Sequence, residues 1–66
     1  MNFRQLLRRV RSEFQEMPGL RLTPPQAARL FGLDRRACER VIEALVGADI
    51  LRRAPDGSIK RREAET

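Results

Sequence analysis

Arginine supplies more than half of the charged side chains in this 66-residue chain. Fourteen residues are Lys or Arg, thirteen of them Arg, against nine Asp and Glu, so the formal net charge is +5. A guanidinium is planar and pairs with phosphate, or with the edge of guanine, better than an ammonium does. This balance indicates an anionic partner, although Arg-rich codon usage would give the same composition.

The largest excess of positive charge falls near the end of the chain. Over residues 52–62 a single acid, Asp56, stands against five cations, which are Arg52, Arg53, Lys60, Arg61 and Arg62. Cations so placed can hold a nucleic-acid backbone or enter a minor groove. Protection of an edge strand by charge would need only about one or two of them.

A second charged cluster, residues 34–43, carries equal numbers of acids and bases. The side chains expected to face outward are Asp34, Arg35, Arg36, Glu39, Arg40 and Glu43. Arg can bind guanine and Glu can accept a hydrogen bond from cytosine. Equally, Glu39 could pair with Arg35 and Glu43 with Arg40 in ordinary salt bridges along a helix. Both interpretations of each Glu stay open at this point.

Other kinds of chemistry have little support in the sequence. The chain contains no His, no Tyr and one Cys. It has no Gly-rich phosphate loop and no nucleophile with a plausible base, so we expect no enzyme, no cofactor and no small-molecule effector. A lone Cys excludes an internal disulfide and leaves no zinc site, which favours a reducing, cytoplasmic setting. No apolar run is long enough to span a bilayer, so a soluble protein is expected.

Two helices joined by a sharp turn are predicted within residues 23–45. Thr23 suits an N-cap, Pro24 suits the first helical position, and Gln26 can complete a capping box. Gly32 can close the helix with a positive φ, and Asp34 can cap the next helix. Cys38 falls on the inward face of that second helix, where it is expected to be a small core residue.

The flanking elements are predicted from the same kinds of signal. Asn2 can cap a first helix whose apolar stripe is Phe3, Leu6, Leu7, Val10, Phe14 and Met17. The Phe residues of the chain are all expected in the core. Residues 20–22 alternate like a very short strand, and residues 50–54 and 58–62 flank a Pro-Asp-Gly turn that predicts a β-hairpin. The second helix of the pair should end near Gly47 or Ala48, and the next residue, Asp49, is of a type that tolerates a positive φ better than most.

This combination resembles the winged helix-turn-helix family of DNA-binding proteins, over about residues 20–62. The resemblance implies a mainly α fold of three helices with a small β-hairpin, in a single domain of residues 1–62 followed by a frayed polar tail at 63–66. It further implies that the second helix of the motif enters the major groove of double-stranded DNA while the basic wing contacts the backbone or minor groove. We therefore expect a small transcriptional regulator.

Two points about partners stay open in the sequence. The same scaffold could serve instead as a protein–protein interaction module, because a fold does not determine function. The equal charges on residues 34–43 favour that alternative, and the basic hairpin favours DNA. A homodimer would add stability to so small a core, since a chain of this size buries only about 60% of its unfolded surface.

Overall fold

The computed structural model of the chain describes residues 2–62. These form three helices and three short strands in the order α1 (Phe3–Glu16), β1 (Arg21–Leu22), α2 (Pro24–Phe31), α3 (Arg35–Gly47), β2 (Leu51–Arg53) and β3 (Ile59–Arg61). The predicted class, mainly helical with a small sheet, is confirmed at this level. None of the described helices has the length and apolar character needed to cross a bilayer. The predicted tail, residues 63–66, lies outside the described residues.

Each helix begins at the residue that the sequence predicts as its cap. The caps are Asn2, Thr23 and Asp34. In the first two, a Gln at the third helical position completes a capping box by accepting a hydrogen bond from the backbone N–H of the cap residue. These bonds satisfy N–H groups that have no partner inside the helix, so they define the first turn of each helix.

A residue with positive φ ends α2, and another lies in the turn after α3. Gly32 has φ 67°, and the N–H of Leu33 donates to the carbonyl of Ala28 over 2.8 Å. After α3, Asp49 has φ 62°. Asp tolerates this conformation better than most residues because its short polar side chain can bond locally. Helix α3 ends at Gly47, the earlier of the two expected positions.

The three strands form an antiparallel sheet in the order β1-β3-β2. The very short strand predicted at residues 20–22 is present as β1, and it pairs with β3. Strands β2 and β3 form the predicted hairpin, in which the N–H of Ala54 donates to the carbonyl of Ser58 over 2.8 Å. Gly57 supplies the positive φ of the turn, at 91°. The hairpin therefore has a defined register, which decides where each of its cations points.

One core joins the helices and the inner face of the sheet. Its buried apolar residues are Val10, Phe14, Ala27, Phe31, Cys38, Val41, Ile42, Leu45, Leu51 and Ile59. The prediction that all three Phe residues lie in the core is wrong for Phe3, which is 41% exposed. Met17, at the other end of the predicted stripe, is 44% exposed. Val10 and Phe14 are the buried residues of the stripe, so the elements that cover α1 leave both ends of the stripe exposed.

Candidate nucleic-acid interface

Helix α3 separates its residues cleanly between the core and the solvent. Its buried side chains are Cys38, Val41, Ile42 and Leu45. Arg36, Arg40 and Glu43 follow one another at intervals of four and three residues and are all exposed. At 3.6 residues per turn these positions fall on the side opposite the buried stripe. We call this surface, Arg36, Arg40 and Glu43, the outer face of α3.

Two of the three acids near this face have partners within the chain. Asp34 Oδ1 accepts a hydrogen bond from the backbone N–H of Ala37 over 2.7 Å, so this carboxylate serves as the cap of α3. Glu39 Oε2 lies 3.3 Å from Nη2 of Arg53 on strand β2. The partner of Glu39 is thus in the hairpin and not Arg35, the partner that the spacing along the helix suggested. Only a tertiary structure could reveal this pair, because it joins residues fourteen positions apart.

The two outermost Arg residues of α3 differ in their surroundings. The guanidinium carbon of Arg40 lies 5.2 Å from the centroid of the Phe3 ring, within reach of a cation–π contact. Such a contact is worth about 0.5–1 kcal/mol at an exposed site, so Arg40 can leave it for a stronger partner. The side chain of Arg36 has no ion pair or hydrogen bond to any residue within 2–62, and the same holds for Arg35. These two Arg side chains are therefore more readily available to a partner than Arg40 is.

A shallow groove runs between the start of α2 and the start of α3. It is lined by Pro24, Pro25, Ala28, Arg35, Cys38 and Glu39. The Cys38 thiol is 3% exposed and points its Sγ at the carbonyl oxygen of Pro24, 3.5 Å away. Burial raises the pKa of this thiol, with a further contribution from the negative charge of Glu39. The thiol is therefore protonated at neutral pH and poorly reactive, as expected for a core Cys.

The register of the hairpin sorts its cations onto two sides. Leu51 and Ile59 are buried, so residues two positions further along each strand point to the same, inner side of the sheet. Arg53 and Arg61 occupy those positions. Arg53 uses this orientation to reach Glu39 on α3. Arg52 and Lys60, which are paired across the strands, leave the sheet on the opposite side.

The last cation of the hairpin is also engaged within the chain. Arg62 Nη1 lies 3.6 Å from Oδ2 of Asp49, and its N–H donates to the carbonyl of Ile50 over 3.1 Å. The five cations of the hairpin were predicted as one group, but their orientations and contacts differ. Two of them, Arg53 and Arg62, form ion pairs next to the ends of the hairpin, and both pairs are partly exposed.

One cation of the sheet, Arg21, is not among the residues predicted to bind DNA. Arg21 on β1 is paired across the strands with Lys60 on β3, so it lies on the same side of the sheet as Lys60 and Arg52. Its Nη1 is 4.0 Å from Oδ2 of Asp56. The alternation of residues 20–22 could have identified Arg21, because it puts the charged residue on the face opposite to its two Leu neighbours.

Asp56 stabilises the turn of the hairpin. Its Oδ1 accepts hydrogen bonds from the hydroxyl of Ser58 over 2.6 Å and from the Ser58 N–H over 2.9 Å. These two bonds, with a smaller contribution from the charge of Arg21, lower the pKa of the Asp56 carboxyl. Ser58 is 4% exposed, so this Asp satisfies a buried hydroxyl and fixes the direction of the hairpin tip.

Comparison with known proteins gives no relative for this chain: no protein-family model, no curated protein and no solved structure matches it. The function must therefore be argued from its own residues.

Proposed function

We propose that the chain is a sequence-specific double-stranded DNA-binding protein of the winged helix-turn-helix class, acting as a small transcriptional regulator. In this proposal α2 and α3 form the helix-turn-helix pair, and β2 and β3 form the wing. Helix α3 enters the major groove, as the second helix of such motifs does. The scaffold alone would not justify this assignment, because one fold can serve many functions.

The proposal rests on which of the charged residues around the outer face of α3 already have partners within the chain. The sequence places three acids among three Arg residues there, which would weaken attraction to phosphate. Asp34 is engaged as a cap, and Glu39 is held by Arg53. The cations Arg35, Arg36 and Arg40 then face solvent with Glu43 as the remaining acid. Arg reads guanine through its O6 and N7 atoms, and Glu can accept from the amino group of cytosine.

The ion pair between Glu39 and Arg53 supports the role of the hairpin. It joins the first half of α3 to the end of β2 over 3.3 Å, so the hairpin tip lies beside the part of α3 that would meet the bases. A duplex bound to the first half of α3 would then come close to Arg53. This arrangement favours a single contact surface made of a helix and a hairpin.

The test is to select preferred duplexes from a random pool and to compare Arg36→Ala with Arg4→Ala. Both residues are exposed Arg on helices, and both substitutions remove one charge. Loss of a bidentate guanine contact costs about 1–3 kcal/mol, which is a loss of about 5- to 150-fold in affinity. We expect that loss for Arg36→Ala on the selected duplex, with little change on scrambled DNA and little change for Arg4→Ala on either.

A second function, a protein-interaction module, is favoured by large apolar side chains that are exposed on α1 and α2. Leu30 on α2 is 53% exposed, and Phe3 is 41% exposed. Side chains of this kind are common anchors in protein interfaces when they occur together in a patch. If the selection enriches no sequence and Arg36→Ala leaves binding at low salt unchanged, the DNA proposal fails and this alternative becomes the better one.

A further inference from the structure

The first residue of α1, Phe3, places its aromatic ring beside the outer face of α3. The guanidinium carbon of Arg40 lies over this ring, 5.2 Å from its centroid. The ring is not among the buried residues of the core. Its contact with Arg40 therefore joins an exposed aromatic side chain of α1 to the part of α3 that is proposed to meet DNA.

The capping of α1 fixes the backbone that carries this ring. Asn2 Oδ1 accepts a hydrogen bond from the N–H of Gln5 over 2.8 Å, and the N–H of Asn2 donates to Oε1 of Gln5 over 3.2 Å. The N–H of Leu6 donates to the carbonyl of Asn2 over 3.0 Å. These bonds close the first turn of the helix around Phe3. The ring is therefore held by an ordered helical turn beside Arg40.

Glu43 is the nearest competitor for Arg40 along α3. The two residues are three positions apart, which is close enough for an ion pair on a helix. Among residues 2–62, however, Arg40 and Glu43 form no ion pair or hydrogen bond with each other. A cation–π contact at an exposed site is worth more than a helical ion pair in which the base precedes the acid. The contact with Phe3 is therefore the more stable of the two.

The choice between these partners decides which hydrogen-bonding groups stay available. A contact with the face of a ring uses none of the N–H donors of Arg40, whereas an ion pair would occupy those donors together with the carboxylate of Glu43. Base reading needs the same groups, because Arg donates to guanine and Glu accepts from cytosine. We propose that Phe3 is a positioning residue for base recognition, which holds Arg40 apart from Glu43 so that each can contact its own base.

This inference rests on the proposed DNA-binding function and adds to it a residue that lies outside the helix-turn-helix pair. Phe3 touches no base in this role and acts through Arg40. Two substitutions separate the ring from its bulk: F3L keeps an apolar side chain and removes the aromatic face, and the conservative variant F3Y keeps that face. Phe3 is partly exposed, so neither change opens a cavity in the core.

The first measurement uses the free protein and needs no DNA. Protons above an aromatic ring resonate upfield in NMR spectra. The Cδ protons of Arg40 should therefore lie upfield of those of Arg36 in the wild type and in F3Y, and the difference should vanish in F3L. Arg36 is the matched control because it is exposed one turn earlier on the same face of α3 and contacts no ring within residues 2–62. Equal positions for the two Arg residues in the wild type would overturn the inference.

The second measurement is affinity for the duplex selected from the random pool. F3L should bind about 2- to 5-fold more weakly than the wild type, as expected from loss of an exposed cation–π contact, and F3Y should restore the affinity. The effect of F3L should persist in an R36A background and disappear in an R40A background, because Phe3 acts through Arg40 alone. It should also be smaller in an E43Q background, where no acid competes for Arg40.

An equal effect of F3L in the R36A and R40A backgrounds would mean that Phe3 acts on the whole fold, and it overturns the inference. Wild-type affinity in F3L overturns it as well. In both cases a loss of selective binding in R36A still supports the proposed function. If the selection enriches no sequence, the proposed function fails and the positioning role of Phe3 fails with it. F3M supplies the same comparison if F3L does not melt cooperatively.

Discussion

Substitution of Gly32 tests the turn on which the relative orientation of α2 and α3 depends. Gly32 has φ 67°, and a Cβ atom added there would meet no atom within 4 Å. The cost of Gly32→Ala is therefore one of backbone conformation and not of a steric clash with a neighbour. A left-handed conformation costs a residue with a Cβ about 1–2 kcal/mol. Replacing Gly also restricts the conformations of the unfolded chain, which raises the free energy of unfolding by about 0.4–1 kcal/mol. The net destabilisation should be about 1 kcal/mol.

A matched control is available in the same chain. Gly47 is the last residue of α3, its φ is not positive, and a Cβ there also meets nothing within 4 Å. Because Ala is a better helix former than Gly by up to about 1 kcal/mol, Gly47→Ala should stabilise the protein or leave it unchanged. The two variants make the same chemical change, so their effects should differ in sign for conformational reasons alone.

Thermal unfolding followed by far-UV circular dichroism measures both variants. For a domain of this size, a change of 1 kcal/mol moves the melting temperature by about 4–8 °C. We expect Gly32→Ala to melt lower than the wild type by about that amount, and Gly47→Ala to melt at or above it. If Gly32→Ala melts as high as Gly47→Ala, Gly32 does not adopt a left-handed conformation and the turn between α2 and α3 has been assigned wrongly.

Two further predictions concern titratable groups. The pKa of Asp56 is lowered by its hydrogen bonds to Ser58. The ionised carboxylate therefore stabilises the hairpin at any pH above the pKa that Asp has in the unfolded chain, about 3.9. This stabilisation is lost as the pH falls through the pKa that Asp56 has in the folded protein. Asp56→Asn should thus melt below the wild type near neutral pH, with the difference shrinking below about pH 4; a difference independent of pH would contradict this. The Cys38 thiol, buried and with a raised pKa, should react with an alkylating reagent far more slowly in the native protein than in denaturant, and equal rates would show that it is accessible.

The helix boundaries could be predicted because their signals are local. A cap such as Thr23 acts on an N–H three residues away, and Gly32 ends its helix through its own φ. Neither the cap nor the left-handed Gly depends on contacts with residues far away in the sequence. In these places the sequence contains the whole physical cause of the structure.

The candidate site was harder to predict because it depends on contacts between distant residues. Counting charge along residues 52–62 treats five cations as equivalent, whereas strand register puts Arg53 and Lys60 on opposite sides of the sheet. Arg21 was not predicted as part of the site because two helices separate it from the hairpin in sequence. It lies beside the hairpin only because β1 pairs with β3. Phe3 was misassigned because periodicity identifies an apolar face but not how far the covering elements extend along it.

The ion pair between Arg53 and Glu39 links the stability of the fold to the proposed contact with DNA. Both side chains are about two-fifths exposed, and a pair of this kind contributes only about 0.2–1 kcal/mol. Arg53 can therefore exchange Glu39 for a phosphate at little cost, but the exchange leaves the acid without its partner beside the bound duplex. Salt weakens the pair and the phosphate contact alike, so part of the salt dependence of Arg53 cancels. Arg52, Lys60 and Arg61 have no ion pair within residues 2–62, so these three residues should dominate the salt dependence of the hairpin.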